Sequence, residues 1–147
     1  MKRYEAIARL KVLEDEFLAA EFAFSDALER ATIDPGRLRL QNLSPGDLRR
    51  ARHGVEATYT VRLFAEFEGF LRGYWATIRR TQPPMRKLID GVVARRRSVP
   101  ADLHAMVHAV RQYRNDLVHG GGDSASLAFA SCRSPLCRFL AHLPEDW

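Results

Sequence analysis

The sequence predicts an all-α fold, a bundle of four to five helices in which two long ones pack against two or three shorter ones. Three observations lead there. Apolar residues spaced three and four apart form the only period that persists over long windows. Helix breakers gather in short clusters between those windows. No stretch alternates as a strand would, and none repeats or falls into low complexity. At 147 residues the chain is the size of one domain, 1–147, large enough to enclose a single core.

The first helix is read from Leu10, Leu13, Phe17, Ala20, Phe24, Ala27 and Ala31, whose alternating steps of three and four keep one apolar stripe on one side. It stops near Asp34, Pro35 and Gly36, where proline withholds a backbone donor and glycine suits a turn. A second helix opens at "SPGD". Ser44 can cap it, Pro45 fits the first helical position, and Asp47 stands where a capping box wants an acid. From there to about Arg80 it is apolar on several faces (Val55, Tyr59, Leu63, Phe64, Phe67, Phe70, Leu71, Tyr74, Trp75, Ile78), so it is expected to run through the middle of the domain. "TQPP" breaks it and starts a short third helix ending near Arg95–Arg97. "SVPAD" begins a fourth, and a last element is expected over about Pro135 to Leu143.

Composition bounds the function. Hydrophobic content of 46% and charged content of 28% are ordinary for a folded soluble domain. No apolar run approaches the roughly 20 residues of a membrane span. The opening "MKRYEAIARL" does not read as a signal peptide, so a cytoplasmic location is expected, with no membrane partner. Cys132 and Cys137 are too few for a disulfide scaffold and read as ordinary thiols. The net charge of +5 is unevenly spread. Residues 1–34 carry five basic and eight acidic groups, whereas residues 79–97 carry seven basic groups against Asp90 alone. That segment contributes Arg79, Arg80, Arg95, Arg96 and Arg97, and it suits a polyanion such as RNA. It is equally a solvated surface in a protein where 20 of 23 basic residues are arginine.

Chemistry concentrates on the fourth helix, which ends in "RNDLVHGGGD". Leu103, Val107, Val110 and Leu117 form an apolar stripe, and the slot between the last two belongs to Arg114. A permanent cation directed inward must reach a carboxylate (Glu66 and Glu68 of the second helix are candidates), a solvent-filled cleft or an anionic ligand. A second, polar stripe holds His104, His108, Arg111, Asn115 and His119. Five steps of about 100° place Arg114 and His119 about 140° apart, so they converge only where the last turn loosens or a cleft wraps the helix end. Gly120, Gly121 and Gly122 permit the loosening. His104 and His108 have the four-residue spacing of helical zinc ligands, but no third ligand is evident and the pair lacks an adjoining Glu. They read as two solvent-facing imidazoles, with no metal assigned.

"RNDLVH" fits the R-N-x-x-x-H motif of the HEPN superfamily, small α-helical domains found in bacterial toxins and anti-phage systems. The context is similar as well: the motif closes the fourth helix, "FAEFEGFLR" lies in the long second helix, and the chain ends in "FLAHLPEDW". The resemblance spans most of the chain. It implies a metal-independent endoribonuclease without cofactor, working as a homodimer whose two motifs face one cleft. Its active-site residues would be Arg114, Asn115 and His119, with Arg111, His108 and the basic segment holding RNA. A regulatory protein or antitoxin would accompany it. Some family members place a tyrosine two residues after the motif histidine, where a partner modifies it; Gly121 stands there here, so regulation by that route is not expected. A non-catalytic HEPN module that binds nucleotide or nucleic acid, or serves as a dimerising adaptor, carries the same motif. A plain helical scaffold would saturate Arg114 with an internal carboxylate.

Overall fold

The computed structural model describes residues 1–120 and 126–147. The expected all-α bundle is present: α1 (Arg3–Ile33), α2 (Gly36–Arg39), α3 (Pro45–Ile78), α4 (Met85–Arg95), α5 (Ala101–His119) and α6 (Phe129–Ala141). Among the described residues the one β pairing is an isolated bridge between Lys2 and Asp146. No described helix is long and apolar enough to cross a membrane.

The helix limits follow from short-range chemistry where that chemistry is local. Ser44 Oγ accepts from the Asp47 amide at 3.2 Å, and Asp47 Oδ2 accepts from the Ser44 amide at 2.8 Å, closing the expected capping box at the head of α3. The Ser44 hydroxyl, donating to Asp47 Oδ2 at 2.6 Å, and the Ser44 amide together hold the Asp47 carboxyl below its ordinary value. The linker between α1 and α3 contains the four-residue turn α2, which the sequence pattern does not announce.

The last helix departs from expectation. Pro135 is not its start but lies inside it, and α6 begins six residues earlier. Its first turn is capped by a distant residue: Glu56 Oε1 of α3 accepts from the Phe129 amide at 2.6 Å. Orphan donors at a helix head need such an acceptor, and this one comes from 73 residues away.

Helix α3 touches α1, α4, α5 and α6, as a helix apolar on several faces must. Its buried residues run from Thr60 to Tyr74, while its first three turns stay at the surface. Phe64, Phe67, Phe129 and Phe139 are the largest fully enclosed side chains. Phe67 meets Phe139 edge-on at 5.8 Å, and Phe17 stacks on Phe129 at 4.7 Å, which ties α1, α3 and α6 together. Of the α1 stripe, Leu10, Leu13 and Ala31 are buried and Phe17 packs at the edge.

Helix α5 runs antiparallel to α3. Tyr74 lies by Arg96 just ahead of α5, Phe64 lies by Arg114, and Leu117 shares a hollow with Ala57 and Val61. Helix α4 folds back along the last turns of α3. A Cβ on Gly91 would fall 2.7 Å from the Trp75 ring, so glycine is what lets the indole lie across α4.

Candidate functional site

The polar stripe of α5 exists as one surface line, flanked on its inner side by buried Leu103, Val107 and Val110. From His104 to His119 it spans sixteen residues, about 22 Å of helix.

Arg114 is half-buried. Its Nη1 donates to Asn115 Oδ1 at 3.2 Å, its guanidinium carbon lies 5.8 Å from the Phe64 ring centroid, and its buried Nε finds no acceptor. The expected carboxylate partners are engaged elsewhere. Glu66 takes Arg9 of α1 at 3.2 Å, and Glu68 takes Arg72 at 2.6 Å. Both acids lie beyond Phe64 on α3, in register with α1 and with α3's own next turn, so neither reaches α5. Arg111 is similar: its Nε is buried and unpartnered, and its Nη2 reaches only the amide oxygen of Gln112, at 3.5 Å. Among the described residues neither guanidinium forms an ion pair. An internal carboxylate saturating Arg114, which a plain scaffold requires, is not found among the described residues.

His119 is the last residue of α5 and is exposed. Gly120 follows in the left-handed region (φ 66), its amide bonded to the Asp116 carbonyl at 2.9 Å. The helix is therefore regular through His119, and the loosening that would swing His119 toward Arg114 does not occur before Gly120. The two diverge within one chain. Gly121 and Gly122, the remainder of the glycine run, and the Gly121 position discussed above lie outside the described residues. Asn115 serves Arg114 and not His119. Val118, beside the histidine, is 48% exposed, and a shallow hollow of about 320 Å³ lined by Ala57, Thr58, Val61, Arg62 and Leu117 adjoins this end.

The basic segment lies at the opposite end. Arg79 and Arg80 leave α3, and Arg95, Arg96 and Arg97 close α4 just before α5 begins. Eighteen residues of α5, about 27 Å, separate its first residue from His119. Arg95 lies over the Trp75 ring at 5.1 Å, and Arg96 donates to the Tyr74 hydroxyl at 3.1 Å. Arg79, Arg80 and Arg97 are exposed, and none of these five arginines has an acid partner among the described residues. They form an uncompensated positive end, remote from the motif and not a wall of the same cleft.

His104 and His108 do not face solvent freely. Both Nε2 atoms stand 2.8 Å from Asp90 Oδ1 of α4 and 3.0 Å from each other. Their neighbours Leu103 and Val107, and the α4 residues Leu88, Ile89 and Val92, are buried, so the three polar groups line the rim of the α4–α5 seam. Burial pushes the Asp90 carboxyl up, but bonds from His108 and His104 outweigh it and hold the group below its ordinary value. Asp90 is the residue that sequence reasoning missed. The signal for it was its isolation: it is the single acid among seven cations.

Cys132 is buried, and burial with the nearby Glu56 charge pushes its thiol up to about 12. Burial also raises the Cys137 thiol, against a smaller opposing pull from Arg133. Neither supplies a thiolate nucleophile near neutral pH.

No protein-family model, curated protein or solved structure matches the chain.

Proposed function

We propose that the protein is a metal-independent endoribonuclease of the HEPN type, acting in toxin or anti-phage defence. Its composite active site would be assembled from two copies of the chain. The observation that carries the reading is the state of Arg114: a half-buried guanidinium near the end of α5, beside its polar face, with no acid to neutralise it among the described residues. Such a cation is stable only with solvent or an anion in reach, and a phosphodiester is an anion of fitting shape for its planar fork.

Cleavage through the ribose 2′-hydroxyl needs a base to take that proton, an acid to protonate the leaving 5′-oxygen, and positive charge on the pentavalent phosphate. Histidine serves either proton role near neutral pH. One exposed His119 per chain provides one of the two, and a two-fold axis at this helix end would supply the other. Arg114 would hold the phosphate oxygens, and Asn115 would hold Arg114 in place through the bond already formed between them. The exposed Val118 and the neighbouring hollow give this end apolar surface on which a second copy can sit. The strand would then run along the α5 stripe past Arg111 toward the positive end.

The test is incubation of the untagged protein with RNA in excess EDTA. Products ending in 2′,3′-cyclic phosphate, absent with His119→Ala, are expected. Intact RNA, or equal cutting by the variant, refutes the proposal. One observation favours a second reading, a module that binds nucleic acid without cutting it: among the described residues no hydrogen bond orients His119. RNA binding that depends on Arg114 but is indifferent to His119→Ala, with no cleavage, would select it.

A further inference from the structure

We infer that Asp90, His104 and His108 form a binding site for a divalent first-row transition-metal ion, joining α4 to α5. The site is separate from the proposed cleavage centre, since His108 lies eleven residues, about 16.5 Å along α5, from His119, although the proposed RNA path toward the positive end passes it.

The first argument is that protons satisfy the cluster only in part. Its three donor atoms form a closed triangle with sides of 2.8, 2.8 and 3.0 Å. Each imidazole Nε2 carries either one hydrogen or one lone pair. If both carry hydrogens, each can point at Asp90 Oδ1, but two N–H groups then confront one another at 3.0 Å. If one gives up its hydrogen to accept from the other, its lone pair faces the carboxylate oxygen at 2.8 Å. Every assignment leaves at least one side of the triangle repulsive. A cation over the face of the triangle turns all three sides into shared coordination.

The second argument is metric. Metal bonds of about 2.0–2.1 Å put neighbouring donors about 2.9 Å apart in an octahedron and about 3.3 Å in a tetrahedron. The observed sides match the octahedral edge, the facial arrangement of two histidines and a carboxylate with the remaining positions open. The donor set also selects the ion. Two imidazole nitrogens in three suit zinc, iron, cobalt or nickel and disfavour magnesium and calcium, which take oxygen.

The third argument is access. The side chains are 31%, 23% and 47% exposed for His104, His108 and Asp90, so an ion can enter from solvent and keep water in its remaining positions. The fold holds the ligands ready. His104 and His108 are one turn apart on a helix anchored by Leu103 and Val107, and Asp90 is fixed between buried Ile89 and Val92.

The untagged full chain, stripped with chelator and dialysed, is titrated with Zn²⁺ by calorimetry and with Co²⁺ by visible absorption. One ion per chain is expected, together with Co²⁺ d–d bands and a higher melting temperature, because the ion bridges two helices of the native state only. Loss of a supporting hydrogen bond alone weakens metal sites by about 10- to 100-fold, so loss of a ligand in Asp90→Asn or in the double variant His104→Gln/His108→Gln should exceed tenfold. Circular dichroism establishes that these variants stay folded. His119→Ala should bind as wild type, and millimolar Mg²⁺ should not displace Zn²⁺. Failure to take up Zn²⁺ stoichiometrically, or equal uptake by the folded double variant, overturns the site. Neither result bears on RNA cleavage in EDTA.

Discussion

At the scale of single residues, the decisive contrast on α5 is between Arg114, which is held, and His119, which is exposed with no hydrogen bond among the described residues. Arg114 is braced by Asn115 and the Phe64 ring. Replacing it with lysine keeps the charge but loses the two-pronged fork. RNA cleavage should fall while RNA binding persists, as single-turnover rates and filter binding would register. His119 is exposed at a helix end, so His119→Ala should leave the melting temperature unchanged and cut the rate by at least about 100-fold. A variant that lost stability along with activity would instead make His119 a structural group. The cysteines give a second residue-scale prediction. With Cys132 pushed up to about 12 and Cys137 also raised, the folded chain should resist thiol reagents at neutral pH, and unfolding should release two reactive thiols. The sign of the linkage follows from a raised folded pKa. The contribution of Cys132 is complete below its ordinary value of 9.0 and drains away as pH climbs toward about 12, so alkaline melting curves should shift downward across that window.

At the scale of helices, the two ends that matter are capped in opposite ways. The head of α3 is closed by residues three apart, Ser44 and Asp47. Ser44→Ala should cost about 1 kcal/mol, read from denaturant midpoints at constant m-value. The head of α6 is closed by Glu56, and Glu56→Ala should cost about 1–3 kcal/mol by stranding the Phe129 amide. The same difference explains what could be read before any coordinates. Helix α3 was legible at its start because its cap, its proline and its acid sit within four residues. The beginning of α6 was not, because its cap is 73 residues away and Pro135, a good first-turn residue, drew the boundary inward. Likewise Arg114 was recognisable as an inward cation from the α5 stripe alone. That neither Glu66 nor Glu68 reaches it depends on Glu66 turning to α1 and Glu68 to Arg72, choices made by packing. The histidine pair was visible as a four-residue repeat, but Asp90 joins it across 14 and 18 residues, from a segment whose charge suggested only a polyanion surface.

At the scale of the whole molecule, the geometry of α5 limits what one chain can do. A helix that stays regular through His119 keeps the motif's arginine and histidine about 140° apart, and the five arginines of the basic segment stand at its other end. A single copy then offers one motif imidazole where RNA cleavage asks for two proton-transfer groups, so the proposed activity would belong to a pair of chains. Sedimentation velocity should show a dimer at micromolar concentration, and specific activity should fall on dilution as dimers separate. Mixing supplies the sharper discrimination. When wild-type chains exchange with excess His119→Ala chains, most wild-type subunits enter heterodimers that hold one imidazole. Cleavage should then drop well below the wild-type share, approaching zero as the excess grows. If each chain were a complete catalyst, the inactive copies would be bystanders, the rate would track the wild-type concentration alone, and the composite site would be refuted even though RNA was still being cut.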